Sequence, residues 1–135
     1  MPPLPPRFAI TPEEIDRVVA EFYACVRVHP GLGPVFAVHV ADWPAHEEKI
    51  ARFWRNAILH ERCYDGNPLE VHTRAGNVRP GMFDAWLGLF DSVLVRMLAP
   101  QTAAAWSALA HRIGRGLRYG VVEATTFPGG IPKLT

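Results

Sequence analysis

Two histidines, a tyrosine and a tryptophan are the residues of this chain most able to do chemistry. His46 begins a line continued by Ile50, Phe53 and Ala57 at the three- and four-residue spacing of one helix face, with Trp54 alongside. His72 falls near the end of a short helical turn that Asn67 would cap and Pro68 would open, within a stretch rich in breakers. Phe53, Trp54, Phe83, Trp86 and Phe90 are large, flat and apolar, and a planar iron porphyrin would suit both them and the two imidazoles. A neutral histidine commonly holds haem iron, and the donors on the opposite face decide the ligand chemistry. The same stripes are what any amphipathic helix presents to a core, a lone histidine on a helix face is ordinarily a hydrogen-bonded polar residue, and Tyr23 could simply turn its hydroxyl to the surface. Spacing by itself does not choose between these readings.

The elements that must position these residues are helical. Thr11-Pro12-Glu13-Glu14 has the form of a capping box with proline in the first turn, and Ile15, Val18, Val19, Phe22 and Val26 follow at helical spacing. That helix is expected to stop near His29, before Pro30 and Gly31. A breaker-rich stretch from Pro30 to Phe36 then leads through Val38 and Val40 to Asp42, which is expected to cap a second long helix ending near His60. From Glu61 to Arg79 the periodicity lapses around Gly66-Asn67-Pro68 and Gly76-Asn77. After Pro80 a third helix carries Phe83, Trp86, Leu87, Phe90, Leu94 and Leu98, and a fourth carries Trp106, Leu109, Ala110, Ile113 and Leu117. Gly120 is a natural stop, so residues 121–135 are expected to form an irregular tail and residues 1–10 an N-terminal extension. Almost no stretch alternates polar and apolar residues as a strand would, and the fold class is all-α.

Composition narrows the function. A chain of 135 residues suits one domain, and a net charge of +1 gives no broad footprint for nucleic acid. No apolar run reaches the ~18–20 residues that span a bilayer, and Met1-Pro2-Pro3-Leu4-Pro5-Pro6 lacks the pattern of a signal peptide, so no membrane association and a cytoplasmic location are expected. Cys25 and Cys63 form no CxxC pair and do not suggest a thiolate metal site.

The motifs are more specific than the composition. Phe22-Tyr23, Val26-Arg27, the run from His29 to Phe36, Asp42-Trp43 with His46, and Phe53-Trp54 closely resemble the third group of the truncated haemoglobins. Tyr64, Gly66-Asn67-Pro68, His72, Phe83, Trp86-Leu87, Leu89-Phe90, Ala110, Ile113 and Leu117 continue the resemblance in order over residues 11–120, and the diglycine motifs of other truncated groups are missing from the expected loops. The resemblance implies a two-over-two helical sandwich around a haem b, with His72 as the proximal iron ligand. It implies Phe36 packed against the porphyrin, Tyr23, His46 and Trp86 as the polar distal residues, and Ile50, Phe53 and Trp54 lining the pocket. Phe83 and Leu87 join that lining, while Lys49, Tyr64 and Arg79 are candidates for the haem propionates by charge and position.

Bound dioxygen gains negative charge that a phenol, an indole N–H or an imidazole N–H stabilises. The expected function is therefore binding of dioxygen, nitric oxide, carbon monoxide or cyanide at ferrous iron. A redox enzyme that dioxygenates nitric oxide or consumes peroxide would need a separate reductase, because no flavin or nicotinamide site is legible. A haem-free helical interaction domain is the alternative from a different class.

Overall fold

The computed structural model describes residues 5–61 and 82–126, except the side chains of residue 39 and residues 117–126. Five helices make up these residues: α1 (Pro12–Val28), α2 (Leu32–His39), α3 (Trp43–Leu59), α4 (Met82–Met97) and α5 (Pro100–Thr126). The expected capping box starts α1. The Thr11 hydroxyl accepts from the Glu14 amide at 3.1 Å, and the Glu14 carboxylate accepts from the Thr11 amide at 3.0 Å. Asp42 likewise caps α3 by accepting from the Ala45 amide at 3.1 Å. At the other end of α3, His60 adopts the left-handed conformation, with φ 59°, and its N–H donates to the Asn56 carbonyl.

Helix α2 lies where the sequence suggested only a breaker-rich connection. Its breakers are compatible with a helix start: Pro34 falls in the first turn, where its missing N–H has no helical partner. The His29 ring supplies the cap, its Nδ1 accepting from the amides of Gly31 and Leu32, each at 3.0 Å. Gly33 lets the new helix sit directly on the end of α1, since a Cβ there would stand 2.9 Å from the Arg27 carbonyl oxygen.

Helix α5 also exceeds expectation, continuing through Gly120 to Thr126. A single glycine costs a helix only about 1 kcal/mol relative to alanine, and the next proline is Pro128.

Helix α1 packs on α2, α3 and α4, and α5 packs on α4, so an α1/α3 pair lies against an α4/α5 pair. Their shared core contains Ile15, Val18, Phe22 and Val26 of α1, Trp54 and Ile58 of α3, Phe90, Val93 and Leu94 of α4, and Trp106 and Ala110 of α5. The N-terminal residues close one end of this core. Arg7 donates from its backbone amide to the Ile58 carbonyl at 2.9 Å and from Nε to the Ala57 carbonyl at 2.8 Å, while Phe8 and Ile10 pack on the core. Among the described residues, no helix is long and apolar enough to cross a membrane.

Candidate functional site

Phe22 and Tyr23 are consecutive on α1 and divide the molecule between them. Phe22 points into the core, edge-on to Phe90 at 5.1 Å between ring centroids. Tyr23, about 100° further round the helix, faces α2 and the start of α3. Its ring lies 4.9 Å from that of His46 at an interplanar angle of 86°, 5.8 Å from Phe36, and 6.1 Å from Trp43. The His46 ring is itself edge-on to Phe36 and Trp43, each at 6.1 Å. Four aromatic rings from three helices thus meet, one of them a phenol and one an imidazole.

Tyr23 is only 3% exposed, and burial, followed by the negative charge of Glu47, raises the pKa of its hydroxyl well above that of an ordinary phenol. It is therefore a neutral hydroxyl at physiological pH, able to donate and to accept.

Trp86 joins from α4. It is half-buried, edge-on to Phe22 at 5.3 Å and stacked on Phe90 at 5.3 Å and 11°. Phe22 therefore stands between Trp86 and Tyr23, in ring contact with each.

Helix α3 carries two apolar lines. Ala51, Trp54 and Ile58 are buried, whereas Ile50, Phe53 and Ala57, continuing from His46, are half-buried. Trp54 belongs to the first line. It stacks on Phe90 at 5.6 Å and 12°, meets Trp106 edge-on at 5.5 Å, and meets Phe53 of the second line edge-on at 5.0 Å. Phe83 and Leu87 of α4 are buried as well, and Leu87 fills the space where Gly114 has no side chain. Lys49 is exposed on α3. Tyr64, His72 and Arg79 lie outside the described residues. Among the described residues, no group of three or more histidine, cysteine, aspartate or glutamate side chains is placed to hold a metal ion.

Three neighbours of the site have no functional role assigned from the sequence, although two of them, Arg27 and Trp43, stand in the motifs that carry the family resemblance. Trp43 stands three positions before His46 and shares its side of the helix. Arg27, four residues after Tyr23, bonds Glu47 at 3.0 Å, and its guanidinium lies over the Trp43 ring at 4.8 Å. The opposite charges at 27 and 47 were legible, but their meeting across two helices was not.

No protein-family model matches the chain. A group 3 truncated hemoglobin of Campylobacter jejuni is 36% identical over 89 residues, a match that covers 63% of this chain and 70% of that protein. The crystal structure of a group III truncated hemoglobin from Campylobacter jejuni superposes with a TM-score of 0.80 at 27% identity, over 84% of this chain and 92% of that one. The all-helical architecture and the sequence relationship agree, and the chain belongs to the group 3 truncated hemoglobin family.

Proposed function

We propose that the protein binds dioxygen or another small diatomic ligand at the ferrous iron of a haem b, with His72 as the proximal ligand. The observation that carries this reading is the buried, neutral Tyr23 hydroxyl-bearing ring set edge-on to His46, with Phe36 beside both. The described residues fit a porphyrin. Phe36, Ile50, Phe53 and Trp86 offer large apolar side chains that are only half covered, next to a phenol, an imidazole and an indole able to donate.

When bound, the haem supplies a ferrous iron that takes up the diatomic ligand. The chain's own residues then discriminate among ligands. Tyr23, His46 and Trp86 offer hydrogen bonds to a ligand that gains negative charge, each adding about 1.5–3 kcal/mol for dioxygen and less for carbon monoxide, which is less polar when bound. The apolar line of Ile50 and Phe53 keeps water away from the porphyrin, and Lys49, Tyr64 and Arg79 are assigned to the propionates.

Absorption spectra of the purified protein, oxidised, reduced and with carbon monoxide, test the proposal. An intense Soret band that shifts with each treatment is expected, and His72→Ala should lose haem or its normal coordination. A protein that takes up no haemin, or a His72→Ala variant with unchanged haem content and spectrum, would overturn the assignment.

A further inference from the structure

The seam between α1 and α3 that holds Tyr23 against His46 is closed one turn further along by a second set of contacts. Arg27 follows Tyr23 by four residues and lies on the same side of α1, while Trp43, His46 and Glu47 share one side of α3. The Arg27 guanidinium bonds the Glu47 carboxylate at 3.0 Å and covers the Trp43 indole at 4.8 Å. Trp43 in turn is in ring contact with both Tyr23 and His46, at 6.1 Å each. One planar cation therefore grips the residues three before and one after His46, and it does so from the helix that carries Tyr23.

The clasp is partly sheltered, with the Glu47 side chain 17% exposed and that of Arg27 41%. Its two interactions differ in kind: an ion pair that salt weakens, and a stack on an aromatic face that requires the flat guanidinium. The contacts of His46 with Tyr23, Phe36 and Trp43 are all edge-on. Such contacts set a ring's position only while the elements bearing the rings keep their spacing. The Glu47 carboxylate also acts on the Tyr23 phenol, so the partner that neutralises it affects the site electrostatically as well as sterically.

We propose that Arg27 is a positioning residue for ligand discrimination: by clasping Glu47 and Trp43 it fixes the spacing of α1 and α3 that keeps His46 edge-on to Tyr23. The proposal rests on the reading of Tyr23 and His46 as ligand-facing groups.

The test uses the full-length holoprotein with Arg27→Gln, Arg27→Lys and Tyr23→Phe. Dissociation rates of dioxygen and carbon monoxide are measured from the ferrous protein, and the proton nuclear Overhauser effect between the Tyr23 and His46 rings is measured in the carbon monoxide form. Arg27→Gln should weaken the ring-to-ring effect and change dioxygen dissociation by roughly threefold or more, with carbon monoxide dissociation nearly constant. Arg27→Lys, which keeps the charge but not the flat stack, should fall between, and high salt should move the unsubstituted protein in the same direction as Arg27→Gln.

An intact ring-to-ring effect and an unchanged ratio of the two rates in Arg27→Gln, with a changed ratio in Tyr23→Phe, would overturn the clasp and leave the ligand-binding reading standing. An unchanged ratio in Tyr23→Phe would instead overturn the reading of the distal residues. The ring-to-ring effect in Arg27→Gln would still decide whether the clasp sets the geometry.

Discussion

Two aromatic clusters share the space between the helices, and they are built differently. The core cluster of Phe22, Trp54, Trp86, Phe90 and Trp106 contains two stacked pairs, Trp54 on Phe90 and Trp86 on Phe90, closed by edge contacts from Phe22 and Trp106. The cluster of Tyr23, Phe36, Trp43 and His46 has no stacked pair; its rings meet at angles from 48° to 86°. Stacking buries two apolar faces and suits a core, whereas edge-on packing around a phenol and an imidazole leaves polar ring edges available. The first cluster holds the helices together and carries the half-buried Trp86 at its edge, and the second holds Tyr23 and His46 in place.

The comparison is broken most severely from the core side. Phe90 is 1% exposed and touches Phe22, Trp54, Trp86 and Trp106. Phe90→Ala would remove a fully buried ring and leave a cavity among four others, at a cost of about 3–5 kcal/mol. Urea denaturation followed by circular dichroism measures this. A loss below ~1 kcal/mol would mean that the stacked cluster does not organise the fold.

Tyr23→Phe tests the other cluster, and its effect should appear in ligand chemistry more than in packing. Removing one hydroxyl that stabilises bound dioxygen should speed dioxygen escape about tenfold or more, with a much smaller change for carbon monoxide. Stability should respond mainly at alkaline pH. Because burial raises the pKa of the folded-state phenol, the unfolded chain releases this proton above pH ~10 while the folded protein keeps it, so the unsubstituted protein loses stability as pH rises there. The Tyr23→Phe protein should lose less over the same range, and parallel denaturation curves at pH 9 and 11 provide the check. Identical slopes for the two proteins would mean that the phenol is not buried in solution.

The difference between the clusters also explains what the sequence discloses. Three-and-four spacing finds the inward lines of α1, α4 and α5, and both Thr11 and Asp42 cap the helices expected of them, because these are local rules within one turn of chain. Along α3 the spacing selects the His46, Ile50, Phe53 and Ala57 line, while Ala51, Trp54 and Ile58 one position round are the more deeply buried. Periodicity locates an apolar face without distinguishing core from site when both are apolar. The family motifs give Tyr23, Phe36 and Trp86 their roles, where spacing leaves Trp86 on an ordinary apolar stripe and Phe36 in a breaker-rich stretch. Arg27 stands in one of those motifs, but neither route pairs it with Glu47, since a charge pair across two helices depends on a crossing that no local pattern encodes. Helix α2 is missed for a related reason. Its cap comes from a histidine ring outside the helix, where the usual signal is a serine, threonine, aspartate or asparagine immediately before it.

That cap supplies the mildest perturbation of the second cluster. The His29 Nδ1 satisfies two amides at the start of α2, and α2 brings Phe36 to Tyr23 and His46. His29→Ala deletes the acceptor without touching any ring of the cluster, and by the usual worth of a helix cap it should cost ~1 kcal/mol. His29→Asn offers a shorter side chain with an acceptor oxygen and should recover part of that loss. If α2 serves only to close the end of α1, denaturation midpoints will shift while dioxygen dissociation stays constant in both variants. If α2 seats Phe36 against the distal pair, dioxygen dissociation should move with the midpoint, by about twofold for His29→Ala and less for His29→Asn. A graded pair of responses would place the start of α2 in the same coupled unit as Tyr23 and His46, whereas a shift in the midpoint alone would confine that unit to α1 and α3.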